Sequence, residues 1–202
     1  MKEKIKKFLE NNPKILKILK KDQRSYVFNF IFEDKIYVYK EPIEKNTRKW
    51  QKFLAIFRGR ESKREFKQME KINSLGLFTA KPVFYTADYL VYEFIEAGKA
   101  DEKNINFIVD ELHRIHSLGY LHGDSHIDNF LIDDKNKVYI IDSKFRKNIY
   151  GKFGEIFEFM YLEDSLSMDI PYNKNSIYYK AAVALRNYLT FYSKLKNFIR
   201  RK

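Results

Sequence analysis

The chain has 202 residues, 45% of them hydrophobic, with no cysteine and a formal net charge of +12 from 39 basic and 27 acidic residues. This is enough apolar material for a real core, while the missing cysteines exclude disulfides and thiolate metal sites. No apolar run approaches a membrane span, and Met1 to Lys7 carry charges where a secretion leader needs an apolar stretch, so action in the cytoplasm is expected.

In chain order, Ile5, Phe8 and Leu9 share one face of a helix over residues 1–10, which Pro13 ends. Alternation then predicts strands over 14–21, 26–32 and 35–40, with turns at 22–25 and 33–34. In the third strand Ile36, Val38 and Lys40 point the same way, so a lysine is aimed inward and needs an anion. Trp50, Phe53, Leu54 and Phe57 recur at helical spacing before Gly59, predicting an extra amphipathic helix. The next helix, over 61–75, carries a stripe of Phe66, Met69 and Ile72 with Glu65 inside it. A carboxylate on that face is costly unless paired, so Glu65, ahead of Glu61 one turn earlier, is the expected partner of Lys40.

A hairpin over 82–85 and 89–94 leads into Glu93, Phe94 and Ile95, and a helix over 104–118 presents Ile108, Leu112 and Ile115 before Gly119. The most informative stretch follows. Asp124 and Asn129 are separated by four residues between the apolar runs at 120–121 and 130–132. The polar turn at 133–137 and the apolar run at 138–141 fold back as a hairpin, which delivers Asp142 beside Asn129. A carboxylate that orients a hydroxyl and two hard oxygen donors for Mg²⁺ are what phosphoryl transfer asks of a protein. His113, His116, His122 and His126 fall in pairs around a helix end, but with no cysteine and no H-E-x-x-H pattern they do not make a zinc site. A last helix over 176–199 places Tyr178, Ala182, Leu185, Leu189, Tyr192 and Ile199 on one side and ends in Arg200, Arg201 and Lys202, which suit acidic headgroups. The basic residues are spread along the chain and no nucleic-acid module is readable, so nucleic acid is not the expected partner.

The string from His122, Gly123 and Asp124 to Asn129 and Leu131 resembles the catalytic loop of the protein-kinase-like superfamily, in its small-molecule branch. Within that branch the run from Lys40 to Asn46, then Trp50, then Phe57 to Phe66 is similar to the lipopolysaccharide core heptose(II) kinase family, over roughly residues 25–165. The resemblance implies an α+β, small bilobal protein-kinase-like fold with an N-terminal antiparallel sheet plus helix and a mainly helical C-terminal lobe. It implies one domain over 1–202, with an N-lobe at about 1–94, a hinge at about 93–99 and a C-lobe at about 100–202. ATP and Mg²⁺ are the implied cofactors. Lys40 and Glu65 would serve the phosphates, Glu93, Phe94 and Ile95 the adenine edge, Asn129 and Asp142 the metal, and Asp124 the accepting hydroxyl, while His122 would brace the loop as its counterpart does in kinases. The implied acceptor is an inner-core heptose of a lipopolysaccharide glycolipid, at an acidic membrane surface.

Two departures from the family pattern bear on this. Ser143 and Lys144 replace the Phe-Gly that follows the metal-binding Asp in protein kinases, and no Ala-Pro-Glu follows, which argues against protein substrates and a phosphorylated activation loop. Residues 20–26 contain no glycine where a phosphate-covering loop belongs, so Lys21, Arg24 or Ser25 would have to substitute with side chains. The alternatives are a kinase for another sugar, an aminoglycoside or a protein, and a non-catalytic basic scaffold that binds nucleotide or nucleic acid.

Overall fold

Runs rich in bulky apolar side chains between Ile15 and Pro42 build three consecutive antiparallel strands, β1 (Ile15–Lys21), β2 (Ser25–Phe32) and β3 (Lys35–Pro42). The turn between β2 and β3 takes only Glu33 and Asp34, both with positive φ (47° and 61°), the tight geometry whose twist matches a hairpin. This computed structural model describes residues 1–11, 13–43 and 60–200, and the chain forms two units, Met1–Ala97 and Gly98–Lys202. The helix expected at Trp50, Phe53, Leu54 and Phe57 lies outside the described residues, as do Arg201, Lys202 and the side chains of Ile199 and Arg200.

In the first unit β4 (Pro82–Tyr85) and β5 (Leu90–Glu93) pair antiparallel as the expected hairpin. They extend one five-stranded sheet in the order β1-β2-β3-β5-β4, because β5 pairs with β3 from Tyr37 opposite Glu93 to Lys40 opposite Leu90. Alternation along β5 then separates two cores. Val91 joins Phe28, Phe30, Tyr37 and Phe84 under α1 (Lys2–Glu10), whose Ile5 is fully buried among them. Leu90 instead packs with Ala80 and Met69 of α2 (Glu61–Ser74). The two helices therefore cover opposite faces, and Lys40, which shares its face with the buried Val38, lies on the α2 side. The β1 strand is exposed along its whole length, so its Ile15, Leu16, Ile18 and Leu19 do not enter either core.

The second unit starts with β6 (Gly98–Lys99) and a capped 3₁₀ turn at Glu102–Asn104, where the Asp101 carboxylate accepts from the Lys103 amide at 2.9 Å. It continues into α3 (Ile105–Ser117), whose Ile108, Leu112 and Ile115 are fully buried and whose end is turned by Gly119 at φ 78°. Two small sheets follow. In one β6, β8 (Phe130–Ile132) and β9 (Val138–Ile140) pair in that order, and in the other β7 (Tyr120–Leu121) pairs with β10 (Arg146–Lys147). Sequence reasoning did not anticipate β10 or α4 (Lys152–Glu163). Helix α4 packs on α5 (Ile177–Arg200) through Ile156, Met160 and Ala182. The packed side of α5 carries Tyr179, Ala182 and Val183; of the expected stripe, Leu185 and Leu189 line cavities beside α4, while Tyr178 and Tyr192 are exposed. Among the described residues no helix is long and apolar enough to cross a membrane.

The docking of α1 rests on one side chain filling the sheet's face. Ile5→Ala should lower unfolding free energy by about 2–5 kcal/mol in urea titrations, as for other buried aliphatic truncations. A loss below about 0.5 kcal/mol, the usual range for surface changes, would show that α1 contributes nothing to this core.

Candidate active site

The loop after β7 is built around a buried acid. Glu158 of α4 is 5% exposed, and its Oε2 accepts from the His122 amide at 3.0 Å while Oε1 accepts from the Gly123 amide. The same Oε2 lies 3.0 Å from His116 Nε2; a carboxylate already receiving two amides is an acceptor, so the His116 proton sits on Nε2. Ser125 Oγ donates to the Glu158 carbonyl at 2.8 Å, a further tie between loop and helix. Gly123 has φ 80°, and a Cβ there would run into the backbone of Lys144, whose amide donates to the His122 carbonyl at 2.9 Å. Only glycine meets both conditions.

His122 braces the loop from within, as its position suggested. Its ring is fully buried against Phe130, with centroids 4.8 Å apart, and Nδ1 accepts from the Asp124 amide at 3.3 Å. Burial pushes the imidazole pKa down to about 4, against the pull of the Glu158 and Asp124 carboxylates, so the ring is neutral near pH 7.

This frame holds the three residues singled out in the sequence. Asn129 Nδ2 donates to the Asp124 carbonyl at 2.8 Å across the loop, which turns the amide nitrogen inward and leaves Oδ1 as a hard oxygen donor. The Asn129 carbonyl in turn accepts from the Ile141 amide at 2.9 Å, so the β8–β9 hairpin returns the chain to it and Asp142 follows at once. Asp142 is exposed at φ 49°, a left-handed conformation that Asp tolerates better than most residues. Two hydrogen bonds thus link the backbones carrying Asp124, Asn129 and Asp142. An amide oxygen and a carboxylate suit Mg²⁺, which takes one or two protein oxygens and completes its shell with phosphate and water. Among the described residues no three His, Asp or Glu side chains gather as a metal cluster. The Asp124 carboxylate is paired with Lys144 Nζ at 2.7 Å.

In the first unit, Lys40 Nζ and Glu65 Oε1 meet at 2.7 Å, with side chains only 14% and 17% exposed, the pairing expected from the strand and helix patterns. The glycine-free turn after β1 has its own solution. Asp22 Oδ1 accepts from the amides of Arg24 and Ser25, both at 2.8 Å, which holds its carboxyl below the usual range and shapes the turn with a side chain. Ser25 is buried, which leaves Lys21 and Arg24 as the exposed members of the trio expected to substitute for glycine. At 93–95, the Glu93 amide donates to the Lys81 carbonyl at 2.9 Å and the Phe94 amide to the Ile36 carbonyl at 3.0 Å, so an adenine edge there would fall to other backbone groups of the stretch.

Sequence reasoning missed Glu158, the pairing of His116 with it, and the pairing of Lys144 with Asp124. The signal for Glu158 was present: it lies among Ile156, Phe159, Met160 and Leu162, where an unpaired carboxylate is costly.

Because the His122 pKa is depressed on folding, the unfolded chain binds more protons between about pH 6.5 and 4. The associated stability is complete above pH 6.5 and is lost as the pH falls toward 4, a change of about 3 kcal/mol. Urea titrations at pH 7 and 4.5 should show a smaller acid-induced loss for His122→Gln than for the parent. Equal losses would contradict the buried, neutral imidazole.

No family model and no curated protein matches the sequence. Among solved structures, the chain is similar to the Rio2 kinase from Chaetomium thermophilum, at 14% identity and TM-score 0.59, over 88% of this chain and 65% of that one. A structure of that kinase as an ADP/Mg²⁺-phosphoaspartate complex matches at 14% identity and TM-score 0.53, over 88% and 63%. The Rv3197–erythromycin complex from Mycobacterium tuberculosis matches at 14% identity and TM-score 0.51, over 74% and 53%. The chain spans less than two thirds of the length of each of these structures. The fold is protein-kinase-like, α+β with an antiparallel N-terminal sheet and helices.

Proposed function

We propose that the chain is an Mg²⁺-ATP-dependent phosphotransferase that acts on a hydroxyl acceptor. The observation that carries this reading is the Glu158-braced loop, in which Asp124 and Asn129 are joined by one hydrogen bond and Asn129 is joined to the residue before Asp142 by another. In the reaction the acceptor oxygen bonds to the γ-phosphorus, the bond from that phosphorus to the bridging oxygen of ADP breaks, and the hydroxyl proton passes to the Asp124 carboxylate. Lys40, oriented by Glu65, is the cation for the α- and β-phosphates. Asn129 Oδ1 and the Asp142 carboxylate would hold Mg²⁺, which would supply charge neutralisation at the phosphates. In this reading the two units act as the lobes of one domain, with the stretch at about 93–99 between them.

The likeness to Rio2 kinase supports the class, and the ADP and Mg²⁺ complex of that kinase supports the nucleotide and the ion. The erythromycin complex of Rv3197 favours a small-molecule acceptor over a protein. The finer assignment, a hydroxyl of an inner-core heptose in a lipopolysaccharide glycolipid worked on at an acidic membrane surface, rests on the resemblance from Lys40 to Phe66 and on the charge of +12.

Turnover should be measured as ADP formed with Mg²⁺-ATP and core oligosaccharide. Asp124→Asn should lower it on the order of 10²- to 10⁴-fold, the usual worth of a positioned base, with nucleotide binding retained. A fully active Asp124→Asn protein would remove Asp124 from the role of base.

A further inference from the structure

A cavity of about 370 Å³ opens beside Asp124, wholly within the unit Gly98–Lys202, and no role assigned so far uses it. Its size falls within the range of about 300–1,000 Å³ typical of small-molecule sites. Its lining divides by chemistry. Phe153, Phe157 and Tyr161 follow one another at four-residue spacing along α4, with the two phenyl rings stacked at 6.1 Å. Arg146 and Lys144 supply two cations in the same lining, next to Asp124.

Two observations distinguish this cavity from a packing gap. Tyr161 is 44% exposed and Tyr150 is 53% exposed, so aromatic surface remains open where a core would cover it. Arg146 also stands over the Tyr150 ring at 5.9 Å, and among the described residues no carboxylate pairs with it. A guanidinium held by an aromatic face and lacking a carboxylate is suited to a forked contact with phosphate or carboxylate. Lys144, by contrast, is already on Asp124 at 2.7 Å, so an anion that draws it away would free the carboxylate for the acceptor's proton.

Resting on the phosphotransferase reading above, we infer that this cavity is the acceptor subsite and takes a hydroxylated ring compound bearing a phosphate or carboxylate group. The ring face lies against Phe153, Phe157 and Tyr161, and the anionic substituent is held by Arg146 and Lys144. Acceptors with the anion should then be preferred over neutral ones of the same ring.

The test is calorimetric binding of two matched pairs to the full chain: a heptose 7-phosphate against the free heptose, and glucuronate against glucose. The anionic member of at least one pair should bind about tenfold more tightly or better, as a charge-assisted contact requires, and which pair shows it distinguishes phosphate from carboxylate. Arg146→Gln should abolish the preference, and Tyr161→Ala should weaken both members of a pair alike. Equal affinity within both pairs, or a preference that survives Arg146→Gln, would overturn the assignment. A nonhydrolysable ATP analogue with Mg²⁺, titrated into the same preparation, separates the two claims. Nucleotide binding without anion preference removes the subsite and keeps the phosphotransferase reading. Anion preference that needs Arg146, without nucleotide binding, keeps the anion site and removes that reading.

Discussion

A carboxylate taken out of water costs several kcal/mol unless donors surround it, and Glu158 is surrounded by donors from two parts of the second unit. Two are the consecutive amides of His122 and Gly123, and the third is His116 at the end of α3. The loop therefore cannot relax without stranding the acid, nor can α4 shift without stranding the amides. What this clamp fixes is the path of the backbone into Asp124, and from there the Asn129 amide and the β8–β9 hairpin carry the same order to Asp142. Site geometry in this unit is thus a consequence of satisfying one buried charge.

The departures from the protein-kinase pattern turn out to have local physical reasons. Lys144 lies in the stretch where Phe-Gly follows the metal-binding Asp in those enzymes, yet its amide closes the loop onto His122 and its ammonium pairs with Asp124, so it belongs to the frame of the site. The turn between β1 and β2 lacks glycine because Asp22 satisfies two turn amides with its own side chain. That solution leaves the exposed basic side chains of Lys21 and Arg24 at the turn.

Lys40 and Glu65 were legible because each obeys a period: a lysine in step with Val38 on a strand, and an acid within the apolar stripe of a helix. The β8–β9 hairpin was legible because its turn is polar and its strands are not. Other features carried no local signal. The union of β5 with β3 joins residues 37–40 to 90–93, a pairing that only the tertiary fold decides. Strand β10 has two residues, too few for alternation to register. Helix α4 escaped because apolar residues occupy most of its positions and Gly154 interrupts them, so no single face stands out. In α5 the expected stripe did contain the buried Ala182, but Tyr179 and Val183 pack beside it while Tyr178 and Tyr192 stay exposed, a difference that hydrophobicity alone does not mark.

The proposed pairing of Asn129 and Asp142 on the cation that accompanies the nucleotide can be observed by replacing Mg²⁺ with paramagnetic Mn²⁺ in the presence of a nonhydrolysable ATP analogue and recording amide NMR spectra. Nucleotide-dependent broadening centred on the amides around Asn129 and Asp142 is expected. Broadening centred elsewhere, or none that depends on nucleotide, would contradict it.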